Sequence, residues 1–286
     1  MQIASFKFYH KLTGNKPSKE TGVQRYPTTE YFDSSSVTSA SPDELNGWYQ
    51  TLMPDFKVIP KEQLPKDSEV TSGVRYTSLA MNPNILLPYL QKELEKAGTK
   101  FIRAEVRDIA HARSLSRIPP TLVINASGVG AKEIANDEGV LPIRGQTMFI
   151  KTSYAECLMR EGSEYTYIIP RAHSGGVIIG GVKHPGRTDT NVDEHMRKDI
   201  LRRVNALSGG VFKDLDLEEG RRSGQIVDIV GFRPGRKEGL RIELDTEQSV
   251  VHAYGSGGAG YIYSFGVADR VEQLVSRHCN PIRARL

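Results

Sequence analysis

Near the C-terminal end the chain reads His252-Ala253-Tyr254-Gly255-Ser256-Gly257-Gly258-Ala259-Gly260-Tyr261, with G-x-G-x-x-G spelled by Gly255 to Gly260. A strand-like run (Val250, Val251) precedes it and a helix-like run follows. That order of elements signals a glycine turn presenting backbone amides at a helix N-terminus. A dinucleotide fingerprint, however, needs a whole βαβ unit of roughly 30 residues, with an acid about 20 residues on. Here one helix's length of chain remains. The position of the loop therefore constrains the fold more than its glycines do, because this is a closing strand–turn–helix, not an opening one.

The 286 residues suffice for one large domain or two smaller ones, and 38% hydrophobic with 25% charged residues describes a globular chain. The net charge of +4 is spread along the sequence, which disfavours generic nucleic-acid binding. No apolar run reaches the roughly 20 residues of a membrane span. Two distant cysteines, Cys157 and Cys279, argue against a disulfide-stapled fold or a cysteine-rich metal site. The histidines show no ligand spacing.

Residues 1–80, interrupted by Pro17, Pro27, Pro42, Pro54, Pro60 and Pro65, predict short strands and long loops. Leu86, Leu90 and Leu94 predict a helix ending at Gly98 that is irregular until after Pro88. Strands are expected at 101–106 and 122–128, the second delivering a Gly turn at its end. The middle is β-rich (145–151, 165–169, 177–181), followed by an amphipathic helix over 193–207. More strands come at 225–231, 240–244 and 250–254, and the last helix spans 259–277.

Gly231-Phe232-Arg233-Pro234-Gly235-Arg236 presents an arginine at a strand end before a proline, a rigid fork suited to a carboxylate. Tyr167-Ile168-Ile169-Pro170 is a strand headed by a phenol, and Arg144-Gly145-Gln146 opens another. Each alone is an ordinary packing or turn residue. No Ser–His–Asp arrangement, P-loop or paired acid and base accompanies them.

In their order along the chain (Asn125–Gly130, Arg144–Gln146, Tyr167–Pro170, Gly231–Arg236, His252–Gly266) these segments resemble the D-amino-acid oxidase family, particularly its fungal peroxisomal members. The resemblance covers almost the whole chain. It implies an α/β plus α+β fold, with an FAD-binding Rossmann-like module (79–137 and 248–278) interleaved with a mostly antiparallel substrate-binding sheet (1–78 and 140–246), and a tail at 279–286. It also implies an FAD-dependent enzyme oxidising D-amino acids with oxygen to 2-oxo acids, ammonia and hydrogen peroxide. Arg233 and the Tyr167 hydroxyl would hold the substrate carboxylate, and the Gly258 carbonyl would receive the amino group. Gly257, Gly258, Ala259, Gly260, Tyr261 and Ile262 would contact the flavin ring. Val106, Ser127 and Gly128 would touch the nucleotide portion.

By the same resemblance, Ala284-Arg285-Leu286 reads as a peroxisomal import address, and a homodimer is an open expectation. The family opens with its own strand and G-x-G-x-x-G turn, which this chain as written lacks. A mis-assigned start is the expectation, and a truncated remnant holding FAD poorly is the alternative. After Gly180-Gly181, Val182-Lys183-His184 stands where the family often has an aromatic. This segment reads either as a lid in solvent or as a preference for acidic side chains, as in D-aspartate oxidase.

Overall fold

The computed structural model describes residues 1–35, 48–65 and 69–279. Two sheets organise them. Helix α1 (Gln2–Asn15) leads into β1 (Val23–Asp33), followed by the short β2 (Lys57–Val58) and β3 (Val70–Met81). Helix α2 (Pro83–Lys96) precedes β4 (Val123–Asn125), and then come β5 (Val140–Lys151), β6 (Cys157–Glu161), β7 (Thr166–Arg171), β8 (Gly176–Gly180) and β9 (His184–Pro185). After α3 (Glu194–Ser208) the chain forms β10 (Ile226–Arg236), β11 (Arg241–Asp245), β12 (Val250–Tyr254) and α4 (Gly260–Cys279).

The large sheet has nine strands in the order β10-β5-β8-β7-β6-β1-β3-β2, with β9 also on β5. All its pairs are antiparallel except β1 with β6. The small sheet runs β11-β12-β4, with β12 and β4 parallel. Mixed helix and sheet, with a large mostly antiparallel sheet, is the expected class.

Period-two alternation gives the large sheet two different faces. Met148, Ile150, Ile168, Ile179 and Ile226 point to one side and close with Ile200 and Val204 of α3 into the main core. The cross-strand partners Ile143 and Arg233, Gly145 and Gly231, Thr147 and Gly180, and Gly180 and Tyr167 share the other face. That second face carries the candidate site.

Several expectations are corrected. The stretch expected to be irregular begins with a fourteen-residue helix and contains two long strands. Tertiary contacts decide this: Tyr9 is buried, its hydroxyl bonds Ser264, and Phe8 stacks on Phe265 of α4 at 3.5 Å. Pro27 lies just outside the part of β1 that pairs with β6, so its missing N–H costs little. The tail expected at 279–286 lies outside the described residues from 280 on.

Helix α2 starts at Pro83, capped by the Asn82 side chain, and runs through Pro88. Pro88 and Asn84 are both exposed, so the carbonyl freed by the proline faces water. No strand forms over 101–106. Phe101 and Ile102 are 53% and 68% exposed, and nothing among the described residues pairs with the segment. β11, expected within the larger module, pairs instead with β12.

Buried carboxylates tie the elements together. Burial alone would raise the Asp33 carboxyl, but bonds from Ser35, Ser163 and Arg160 outweigh it and hold it at about 2. Those bonds anchor the end of β1 to the β6–β7 turn. Asp137 is likewise held at about 2: the Tyr254, Arg236 and Gly139 donors outweigh its burial. Both folded values lie below the ordinary 3.8, so their stabilisation is complete above that pH and is lost as pH falls through 2. Thermal melts between pH 5 and pH 2 are expected to show a fall of about 1–2 kcal/mol per carboxylate, centred in the lower half of that range.

Candidate functional site

Arg233 lies inside β10, not at a strand end as its motif suggested. β10 is the edge of the sheet, where Pro234 can follow without breaking an inner ladder. Arg233 Nη1 donates to the Val182 carbonyl at 2.9 Å. No carboxylate pairs with it among the described residues, whereas its near neighbour Arg236 pairs with Asp137 and Glu238. Apart from Val182 and the adjacent Tyr167 hydroxyl, no partner among the described residues occupies the fork, so an incoming anion can engage it.

Tyr167 sits on the same face and is 7% exposed. Burial raises its phenol pKa, and the Arg233 charge beside it works the other way. Tyr165 meets it edge-on at 5.6 Å, and its own phenol is raised mainly by burial. Both hydroxyls are therefore neutral donors at neutral pH, suited to hydrogen bonding and not to proton abstraction.

Two glycines lie under these side chains. A Cβ built on Gly145 would fall 2.5 Å from Arg233 Nη1, and one on Gly180 would fall 2.6 Å from the Tyr167 hydroxyl oxygen. On the opposite side of Arg233, a Cβ on Gly258 would come 3.5 Å from Cδ. A Cβ on Gly128, whose φ is +63°, would lie 3.6 Å from Pro234 Cβ. The structure thus brings together Arg233, Tyr167, Gly258 and the 127–130 turn, residues drawn from four separate segments of the chain.

Two further devices hold this arrangement. Arg203 of α3 donates through Nη1 to the Tyr165 carbonyl, to Thr166 Oγ1 at 3.1 Å and to the Gly181 carbonyl at 3.3 Å. It pins the start of β7 to the end of β8 from behind the sheet. Asp137 accepts from Arg236 at 2.9 Å and from Tyr254 at 2.7 Å, which fastens β10 to β12 and hence Arg233 to the glycine loop.

In that loop Gly255 and Gly257 have φ of +86° and +55°. Glycine is the residue that adopts such values at no steric cost. Gly258, Gly260, Tyr261 and Ile262 are exposed, and no side chain caps the first turn of α4 among the described residues. Its orphan amides and the positive end of a twenty-residue helix are left for an external acceptor.

Sequence reasoning missed Arg171, which ends β7. It has no ionic partner among the described residues; burial lowers its pKa, with the Tyr261 and Tyr167 hydroxyls opposing. A second cation therefore flanks the site. Its signal in the sequence was the alternation itself, because Tyr167, Ile169 and Arg171 share one face.

The site residues fit the ring end of a flavin, since exposed, uncapped helix amides face the Arg233–Tyr167 pair. Beside the 127–130 turn, the Asn125 side chain accepts from the Ser127 amide and hydroxyl, and its amide nitrogen lies 3.3 Å from His252 Nδ1. His252 is 3% exposed, and burial lowers its pKa. Val106 lies in the 101–107 segment, which forms no helix or strand. Lys183 is placed 3.7 Å over the Tyr165 ring. The 284–286 tripeptide lies outside the described residues. No described helix is long and apolar enough to cross a membrane.

Residues 18–274 match the model of the family described as FAD dependent oxidoreductase (DAO). The chain is 35% identical over 237 residues to the D-amino-acid oxidase of Schizosaccharomyces pombe, covering 79% of this chain and 65% of that one. It is 32% identical over 268 residues to the D-amino-acid oxidase of Fusarium vanettenii, covering 87% and 72%. The glycine oxidase of Geobacillus kaustophilus superposes with a TM-score of 0.68 at 18% identity, over 96% of this chain and 77% of that one, a likeness of fold. The chain thus spans about two thirds of the fission-yeast relative's length. With the unpaired arginine on the sheet, the glycine loop facing it and the match over nearly the whole chain, this protein belongs to the FAD-dependent oxidoreductase family.

Proposed function

We propose that the protein oxidises D-amino acids to 2-oxo acids, with release of ammonia and hydrogen peroxide. The observation that carries this reading is Arg233, a cation on the sheet face with no acidic partner among the described residues, with Tyr167 beside it and Gly258 next to its stem. In this reading Arg233 holds the α-carboxylate, the Tyr167 hydroxyl donates to the same group, and the Gly258 carbonyl accepts from the amino group. The substrate is held by three points, and its Cα hydrogen is turned toward the loop. FAD, when bound, supplies the hydride acceptor that oxygen then reoxidises. The chain's part is position and orientation, which suits a site without a tuned acid–base pair.

Gly257 to Ile262 would lie along the flavin ring, with amides of the α4 N-terminus stabilising negative charge on it. Ser127, Gly128 and Val106 would face the nucleotide portion. The small sheet with α4 would be the cofactor-binding module and the large sheet the substrate-binding one, with the boundary before β11. Ala284-Arg285-Leu286 would address the protein to the peroxisome, and a homodimer is compatible with this reading. The cation–π contact of Lys183 with Tyr165 supports a lid role for Lys183 over capture of an acidic side chain.

The test is the purified protein supplied with FAD. Flavin absorbance and peroxide release with D-alanine but not L-alanine are expected, and bound flavin without peroxide from any D-amino acid would refute the reading. Tyr167→Phe is expected to raise the KM for D-alanine about 10- to 100-fold, the value of one hydrogen bond to a charged group, with a smaller change in kcat.

A further inference from the structure

Glycine inside a strand weakens it, by roughly 0.5–1 kcal/mol relative to alanine, and often marks a close approach. Gly145 lies inside β5 and Gly180 closes β8; both are buried and strand-paired, and neither has a positive φ. Their backbones would accept any L-residue, so conformational freedom does not explain them. Space does. A Cβ on Gly145 would lie 2.5, 2.9 and 3.0 Å from Nη1, Cζ and Nη2 of Arg233, within the guanidinium plane's own thickness. A Cβ on Gly180 would lie 2.6 and 2.7 Å from the hydroxyl oxygen and Cζ of Tyr167, and 2.9 Å from Thr147 Cγ2. The neighbours met are the functional ends of the two side chains, not their stems.

Gly231 supplies the contrast. It pairs directly with Gly145 on the same face, also without a positive φ, yet a Cβ there would meet nothing within 4 Å. The absence of side chains therefore matters at two positions and not at the third.

We propose that Gly145 and Gly180 are positioning residues: a side-chain-free floor on which the Arg233 guanidinium and the Tyr167 phenol lie flat against the sheet. The floor sets how far the two donors stand above the strands, and so the height at which a carboxylate is gripped. It also lets Arg233 reach the Val182 carbonyl, a bond that fixes the plane of the fork. The proposal rests on the reading of Arg233 as a carboxylate clamp.

The experiment compares Gly145→Ala, Gly180→Ala and Gly231→Ala in the full chain, each alone and with Arg233→Ala. Because misplacing a binding group by about 1 Å can cost on the order of 10²-fold, Gly145→Ala is expected to lower kcat/KM for D-alanine by about that factor, mostly through KM. Gly180→Ala is expected to act similarly through Tyr167, and Gly231→Ala to stay within about two-fold of the parent. In the Arg233→Ala background the Gly145→Ala effect is expected to disappear. An unchanged KM in Gly145→Ala, or an equal loss with and without Arg233, would overturn the floor while leaving the clamp intact. An Arg233→Ala variant with parental KM would instead overturn the clamp, and the floor with it.

A second measurement needs no turnover. The crystal structure of Gly145→Ala is expected to show the guanidinium displaced and its bond to Val182 lost, and an unmoved guanidinium refutes the proposal. If Gly145→Ala fails to fold, recovery of the parental Tm in the double variant with Arg233→Ala supports the steric contact, and no recovery refutes it.

Discussion

Arg233→Ala is expected to cost about 2–5 kcal/mol in kcat/KM toward D-alanine, the range for removing one partner of a desolvated charge pair. The loss should divide between a raised KM and a lowered kcat. In the proposed reading the arginine both binds the carboxylate and, through that grip, aims the Cα–H bond, and aim is worth as much as affinity when no side chain performs proton transfer. Arg233→Lys is expected to recover only part of it, because a point charge on a flexible stem cannot replace a planar fork bound to Val182. Steady-state kinetics across a range of D-alanine concentrations would decide the matter. Unchanged parameters in Arg233→Ala would remove the arginine from the mechanism. Stability is not expected to fall, since Arg233 has no ion pair to lose among the described residues.

Asp137→Ala is expected to have the opposite profile, destabilising the fold by about 3 kcal/mol. Asp137 is 9% exposed and accepts from the buried Tyr254 hydroxyl at 2.7 Å, from Arg236 at 2.9 Å and from Arg241 at 3.3 Å. Removing it leaves two arginines, 18% and 21% exposed, without their shared counter-charge, and a phenol without its acceptor. For a chain of this length that should lower Tm by roughly 6–12 °C, read by calorimetry. Asp137→Asn should lose less, because the amide oxygen can still accept from Tyr254. Activity should fall with stability, since this cluster joins β10, which bears Arg233, to β12, which delivers the glycine loop. A Tm within about 2 °C of the parent would show that the two sheets are held together by other contacts.

Legibility in the sequence followed the range of the forces involved. Strand β12 and the helix after it were expected at 250–254 and 259–277, and they form at Val250–Tyr254 and Gly260–Cys279, because alternation and a glycine stop are local signals. Helix α3 was equally readable, its apolar stripe at 196, 200 and 204 and its Asp193 cap lying within one short segment. Helix α1 was not. Its own residues carry little amphipathic pattern, and Phe8 finds a stacking partner and Tyr9 its burial only when α4 arrives from more than 250 positions away. The 101–106 run fails for the converse reason, since its β-forming composition has no paired neighbour in the fold. The site shows the same split: Arg233, Tyr167 and Gly258 stood out by motif, while Arg171, Arg203 and the glycines beneath the clamp did not.

By itself the sequence determined which residue types were available for carboxylate binding, the closing strand–turn–helix, and membership in the FAD-dependent oxidoreductase family. The tertiary structure alone decided that Arg233 lies within an edge strand without an acidic partner, that a glycine floor leaves it room, and that Asp137 draws the glycine loop up to face it. The physical reason is that propensity and periodicity act over a few residues. Whether a charge is paired or free depends on what strands distant in the chain bring beside it, and here they bring a carbonyl, a phenol and empty space.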